Sequence, residues 1–312
     1  MKQIKRLAAL ALVIALFPLA GCNLMAGGDT PDDTRVMTSF YPLYALALNL
    51  VKGVPALTLS NLVQPQTGCP RSYQLSDWDA ALIAGQDALI VAGRGFEPFE
   101  SALTAAGPAV LTVLNGLTLH NGGAAGEENS HLAGDNPWLF LSVPGAMEMS
   151  VSIAAGMAQL DEAYADVYMG NLREYLTRLE DLADDMENAL SRAPARPVAI
   201  LHEGLGYLAR QLELNVVCEY PREPGTDQYG NDLEDLLDAL ESSGAEIVLI
   251  ERQAPQNLVE ALEAAGYAVA RLDTLMTHAA DGDAQVYERA MLENAEIIAA
   301  ALNTARTKPL RR

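Results

Sequence analysis

The sequence is poor in cysteine, tryptophan, histidine and basic residues. Its 312 residues include three Cys, two Trp and four His, with 20 Lys and Arg against 41 Asp and Glu. Three cysteines are too few for a disulfide-stapled scaffold, and a chain that is 50% hydrophobic is not intrinsically disordered. The net charge of −21 excludes a protein that neutralises a nucleic-acid backbone, because clustered Lys and Arg are needed for that.

Long apolar runs are also scarce, and the most pronounced one lies at the N terminus. Three basic residues within positions 1–6 precede an apolar run at 7–20, which is the arrangement of a secretory signal. This run is too short to span a bilayer comfortably. It ends in Leu19-Ala20-Gly21-Cys22, which resembles the lipobox of bacterial lipoproteins. We therefore expect cleavage before Cys22 and a lipid on its sulfur, whereas ordinary cleavage would leave an unmodified thiol.

Short apolar runs alternate with helical patterns along the rest of the chain. Eight of them have strand length: residues 35–40, 56–60, 88–92, 109–113, 198–201, 216–219, 246–250 and 268–272. This alternation predicts parallel sheets covered by helices. Between the fourth and fifth runs, apolar residues recur every three to five positions from Glu162 to Ser191, which predicts one long amphipathic helix. The predicted fold class is α/β, with two parallel-sheet lobes, a long rigid helix joining them and a cleft between them.

These elements divide the chain into five parts. They are a signal peptide at 1–21, a tether at 22–33, an N-terminal α/β lobe at 34–145, a linking-helix region at 146–192 and a C-terminal α/β lobe at 193–312. Ligands of open α/β sheets bind outside the carboxyl ends of the strands. Residues that directly follow strands in either lobe are therefore the first candidates for a binding site.

Four separated segments resemble a known protein family. They read VMTSFYPLY at 36–44, GCPRSYQ at 68–74, LHEGLGYLA at 201–209 and LDTL at 272–275. Their order and content are similar to those of the zinc and manganese substrate-binding proteins of bacterial ABC importers. The resemblance covers nearly all of the chain after the signal peptide. It implies two lobes with a rigid linking helix and a divalent cation, Zn²⁺ or Mn²⁺, held between them.

The resemblance also implies four ligand positions, of which two keep a ligand in this sequence. His202 and Asp273 match the third and fourth, an imidazole and a carboxylate that follow strands of the C-terminal lobe. Arg71 and Trp138 stand where the family has its first and second histidines. A guanidinium stays protonated and only donates hydrogen bonds, so Arg71 cannot coordinate a cation. The sequence thus predicts a site that has lost its N-terminal ligands.

Each remaining candidate ligand also has an ordinary structural interpretation. His202 would then be a core histidine bonded to a backbone carbonyl, and Asp273 would cap a turn. Glu251, at the end of a strand, is an auxiliary ligand, a partner of Arg71 or a solvated carboxylate. His120 and His131, in a long polar loop, either supply replacement imidazoles or belong to a surface loop that binds nothing.

Contacts across the cleft leave further alternatives open. Arg71 would pair with Asp273 and hold the lobes together without a metal. Trp138 would either stack on Arg71 or pack into its own lobe. Cys69 and Cys218 follow or end strands of different lobes, so they would form a disulfide, stay as thiols or act as zinc ligands.

An enzyme is not expected, because the sequence has no phosphate-binding glycine loop, nucleophile elbow or metalloprotease helix motif. The prediction is a monomeric, extracytoplasmic lipoprotein, anchored to the bacterial cell membrane at Cys22. It would bind a divalent cation, zinc in the first place, and deliver it to the permease of an ABC importer. The alternative is a metal-free relative, closed by Arg71 and Asp273, that regulates a permease or binds a surface partner. Nucleic acid is not a partner in either case.

Overall fold

The structure is a computed structural model that describes residues 33–65, 73–103, 107–122, 134–220 and 230–305. The predicted signal peptide lies outside the described residues, and so do Cys22, Cys69, Arg71 and His131. Within the described parts of the chain, no helix combines the length and the apolar character needed to cross a membrane.

The N-terminal half is built on a four-stranded parallel sheet. Its strands are β1 (Thr34–Thr38), β2 (Leu57–Asn61), β3 (Ala88–Val91) and β4 (Ala109–Thr112), in the order β2-β1-β3-β4. Three helices connect them: α1 (Tyr41–Leu50), α2 (Asp77–Ala84) and the short α3 (Glu100–Leu103). Strand β3 is buried at every position, as expected for a strand in a parallel sheet that is covered on both faces.

A hairpin and two long helices follow this sheet. The hairpin pairs β5 (Asn121–Gly122) with β6 (Gly134–Asp135), and a single 3-10 turn at Leu139–Leu141 leads into α4 (Val143–Leu160). Helix α5 (Ala165–Leu190) is the long amphipathic helix that the sequence predicts at 162–191. Helix α4 is not among the predicted elements, and it packs along α5.

The C-terminal half repeats the architecture of the first. Strands β7 (Pro197–Ile200), β8 (Asn215–Glu219), β9 (Ile247–Glu251) and β10 (Ala268–Leu272) form a second parallel sheet in the order β10-β9-β7-β8. Its helices are α6 (Leu205–Gln211), α7 (Gly230–Ser243), α8 (Gln256–Ala264) and α9 (Val286–Thr304). All eight predicted strands are present, with ends within two residues of the predicted ones. The prediction of a two-lobe α/β fold with a long helix between the lobes is therefore confirmed.

Helix α5 contacts both halves through side chains on its length. The Asn171 amide donates to the Leu50 carbonyl at 2.8 Å, at the end of α1. Two helical turns further along α5, the Arg178 guanidinium contacts the Glu288 carboxylate of α9 at 3.3 Å. The helix is thus fixed to one element of each half.

Candidate functional site at the strand ends

His202 lies two residues after β7, at the carboxyl edge of the C-terminal sheet, and is only 1% exposed. Its Nδ1 accepts a hydrogen bond from the backbone N–H of Gly204 at 3.1 Å. A neutral imidazole that accepts at Nδ1 carries its proton on Nε2. Metal-binding histidines usually have the reverse arrangement, in which the nitrogen away from the metal donates. Coordination through Nε2 would therefore require the bond from Gly204 to be released.

Trp138 fills the space beside this imidazole. The two ring centroids are 4.5 Å apart, with the planes at 81°. On its other side the indole packs edge-on against Phe96, at a centroid distance of 5.3 Å. Its Nε1–H donates to Glu203 Oε1 at 2.7 Å, and the side chain is 2% exposed. The indole thus lies at the junction of the two halves, with contacts on both sides, and does not pack within its own lobe alone.

Asp273 follows β10 and is held by groups of its own half. Asn294 of α9 bonds its backbone twice, accepting from the N–H at 2.7 Å and donating to the carbonyl at 2.9 Å. The carboxylate accepts from the Leu275 N–H at 2.7 Å, and it lies 2.6 Å from His278 Nε2 and 3.1 Å from the Arg252 guanidinium. Burial acts to raise the pKa of Asp273, but the imidazole, the backbone N–H and the guanidinium hold it below its ordinary value.

His278 is a participant for which the sequence indicates no role. Besides contacting Asp273, its ring stacks on Tyr41 of α1, with centroids 5.3 Å apart and an interplanar angle of 19°. It therefore joins an element of the N-terminal half to the carboxylate of the C-terminal half. Two features of the sequence could have identified His278 as a site residue. It lies five residues after Asp273, and it is one of only four histidines in the chain.

The remaining described candidates occupy three different settings. Glu251 ends β9 next to Leu272 in the sheet register and is fully buried, so its interpretation as a solvated carboxylate is wrong. His120 lies over the Tyr207 ring at 5.2 Å, and burial together with the nearby Arg210 lowers the pKa of its imidazole. Cys218 in β8 is half-buried, which raises the pKa of its thiol.

Glu97 is a second residue that the sequence does not single out. It is 1% exposed and lies just after β3, in a loop where Gly93, Arg94 and Gly95 all have positive φ. Its carboxylate accepts from Ser39 Oγ at 2.5 Å, from the Ala92 N–H at 2.7 Å and from the Gly93 N–H at 2.8 Å. These bonds fix the loop that presents Phe96 to Trp138.

The candidate residues thus form two groups, one of His202, Glu203 and Trp138 and one of Asp273, Arg252 and His278. In the residues that the structure describes, no three His, Cys, Asp or Glu side chains come together in a way that could hold a metal ion. The predicted contacts of Arg71, Cys69 and His131 fall on residues outside the described ones.

Comparisons with known proteins agree with the architecture. The family model of ZnuA, described as the periplasmic component A of the zinc-uptake complex, matches residues 36–301. The high-affinity zinc uptake system protein ZnuA of Bacillus subtilis (strain 168) is 22% identical over 270 residues, which are 79% of this chain and 83% of that protein.

Solved structures share the fold over nearly their whole length. A crystal structure of ZnuA is 25% identical with a TM-score of 0.70, covering 88% of this chain and 100% of that one. The substrate-binding protein FpvC from Pseudomonas aeruginosa, solved in complex with Mn²⁺, is 23% identical with a TM-score of 0.74, covering 87% and 98%. Because the family model spans most of the sequence, and the two sheets and the long helix fit it, this chain belongs to the ZnuA family of periplasmic zinc-uptake components.

Proposed function

We propose that the protein is the substrate-binding component of an ABC importer of the zinc type. In this proposal it is a monomer outside the cytoplasm, tethered by a lipid on Cys22, and it delivers a divalent cation to a membrane permease. Zn²⁺ is the first candidate for this cargo and Mn²⁺ the second, because both accept imidazole and carboxylate ligands. Membership of the ZnuA family supports this proposal over an enzymatic role.

The observation that carries the proposal is the placement of His202. It is a buried imidazole at the carboxyl edge of an open parallel sheet, where α/β proteins bind ligands. Glu251 and Asp273 end or follow the next two strands of the same sheet. These side chains place one nitrogen donor and two carboxylates along the C-terminal edge, and they would have to move together to hold one cation. A tetrahedral Zn²⁺ also needs donors from elsewhere, for which His120 and His131 are the proposed auxiliary ligands.

Two features of the geometry act against tight binding. The His202 ring accepts from Gly204 in the tautomer that leaves no lone pair on Nε2, and the charge of Asp273 is already compensated by Arg252. Both contacts must be released before these side chains can coordinate a cation. We therefore expect an affinity below that of a ZnuA protein with all its ligands.

The test is zinc binding by the purified protein without its signal peptide, measured by competition with a chromophoric chelator. We expect the wild-type protein to bind one zinc ion and His202→Ala to lose about 100-fold in affinity, since removing one of few donors costs about 3 kcal/mol. The double variant His120→Ala/His131→Ala tests the auxiliary ligands, and an unchanged affinity would eliminate them. Elemental analysis of the protein as purified identifies the metal.

A second candidate function is favoured by the position of Trp138. Its indole occupies the space next to His202 and donates a hydrogen bond, where a cation would require lone pairs. In this alternative the protein is a metal-free relative that regulates a permease or binds a surface partner. It is the correct one if the purified protein holds no metal and its melting temperature is the same with and without a chelator, because a ligand bound only to the folded state must raise stability.

A further inference from the structure

We propose that the two halves of this protein are held closed by the chain itself, through residues 136–143 docked on α6, and that closure needs no cation. Residues 136–143, called here the crossing segment, lead from the β5–β6 hairpin to α4. This inference goes beyond the proposed function, because it concerns the state of the protein with or without cargo. Its evidence is a set of contacts that join the crossing segment to the C-terminal half.

Three side chains spaced four residues apart make a row of hydrogen bonds to the crossing segment. Glu203 accepts from the Trp138 indole at 2.7 Å, and its carbonyl accepts from the Asn136 amide at 2.9 Å. Tyr207 donates to the Asn136 carbonyl at 2.7 Å. Gln211 accepts from the Val143 backbone N–H at 2.7 Å. These bonds extend along the whole length of α6, so the crossing segment is docked on α6 from one end to the other.

The packing at Gly204 makes the same junction tight. A Cβ atom at this position would lie 2.6 Å from Leu141 Cδ1 and 2.7 Å from Trp138 Cβ. Only a residue without a side chain therefore permits this approach. Gly206, two residues further along the same helix, has no such neighbour within 4 Å. The indole is thus enclosed by Gly204, His202 and Phe96.

In the group of Asp273, Arg252 and His278, the charge of the buried carboxylate is compensated without a cation. A buried carboxylate is unfavourable without a positive partner. Asp273 has the guanidinium of Arg252 at 3.1 Å and the imidazole of His278 at 2.6 Å. The His278 ring also stacks on Tyr41 of the N-terminal half. The compensating charge and a contact between the halves therefore both come from the chain.

The two tryptophans allow a direct measurement of closure. Trp78 is 72% exposed and Trp138 is 2% exposed, so Trp78→Phe leaves the buried indole as the sole tryptophan reporter. Acrylamide quenching is then measured on this variant after metal removal with EDTA and dialysis, before and after adding zinc. We expect the quenching constant of Trp138 without metal to be about fivefold below that of Trp78 in a Trp138→Phe protein, and we expect zinc not to lower it further.

Matched glycine variants show whether the crossing segment is responsible. In the Trp78→Phe background, Gly204→Ala should raise the quenching of Trp138 several-fold, whereas Gly206→Ala should leave it unchanged. Circular dichroism confirms that each variant is folded, and if Gly204→Ala does not fold, the metal-free measurement alone decides.

High quenching of Trp138 without metal, or a fall in its quenching on adding zinc, overturns the proposal. If zinc does not bind at all, the proposed cargo fails while a protected Trp138 in the metal-free protein still supports metal-independent closure. The two proposals therefore fail separately.

Discussion

The carboxyl edges of the two sheets are equivalent in position but differ in the side chains that fill them. The edge after β3 carries Glu97, which is bound by a hydroxyl and two backbone N–H groups, and its pKa is raised because burial outweighs these bonds. The edge after β10 carries Asp273, whose pKa is lowered by an imidazole, a backbone N–H and a guanidinium. One edge is therefore a single buried carboxyl group beside aromatic rings, while the other is an ion-pair network.

This difference shows which edge offers donors for the proposed cation site. The aromatic edge presents Phe96, against which the Trp138 indole packs from the junction of the halves, and neither ring offers a lone pair to a cation. The charged edge keeps carboxylates and imidazoles, which are cation ligands. The proposed cation binding therefore depends on the C-terminal edge, whereas the contacts between the halves involve both edges.

The largest expected effect is at the charged edge. Replacing Asp273 by Ala removes a buried carboxylate that accepts from three groups, so we expect a loss of about 3 kcal/mol in the free energy of unfolding. Urea denaturation measures it. The matched control is Glu293→Ala, since Glu293 shares Arg252 but is 56% exposed, and this change should cost less than about 1 kcal/mol. Equal losses in the two variants would show that the buried contacts of Asp273 stabilise the fold no more than the exposed ion pair of Glu293 does.

A smaller effect is expected at the junction of the edges. Trp138→Phe keeps an aromatic ring but removes the hydrogen bond to the Glu203 carboxylate, so we expect a loss of about 2 kcal/mol in the free energy of unfolding. Trp78→Phe is the matched control, and its exposed ring should change this quantity by less than about 0.5 kcal/mol. If both substitutions are neutral, the indole merely fills space that a phenyl ring fills equally well.

The smallest effect is a pH dependence at the aromatic edge. A carboxyl group whose pKa is raised on folding binds its proton more tightly in the folded state. Its contribution to stability is present below the unfolded pKa of about 4.3 and is lost as the pH rises through the folded value. We expect the free energy of unfolding of the wild-type protein to fall more steeply above pH 4 than that of Glu97→Gln. Denaturation at several pH values measures the two slopes, and parallel curves contradict the raised pKa.

Much of the architecture could be predicted because it depends on local pattern. The strand β10 at 268–272 and the helix α5 follow from apolar spacing alone, since a strand or an amphipathic helix is recognised by its period. Helix α4 is not predicted because Gly145 and Gly156 disfavour a helix interior, although Pro144 lies in the first turn, where proline is favoured. The structure explains the glycines: a Cβ at Gly145 would lie 2.0 Å from the Leu139 carbonyl oxygen, and one at Gly156 would lie 2.3 Å from Leu111 Cδ1.

The sequence by itself determined the family, the two α/β lobes and the strand-end positions of His202 and Asp273, because these depend on residue type and order along the chain. Tertiary structure decided what those residues contact. The Gly204 bond that sets the His202 tautomer is local, but the indole that covers this ring and the His278 side chain that joins Asp273 to Tyr41 meet their partners only after folding. Such contacts link residues far apart in sequence, and spacing along the chain carries no information about them.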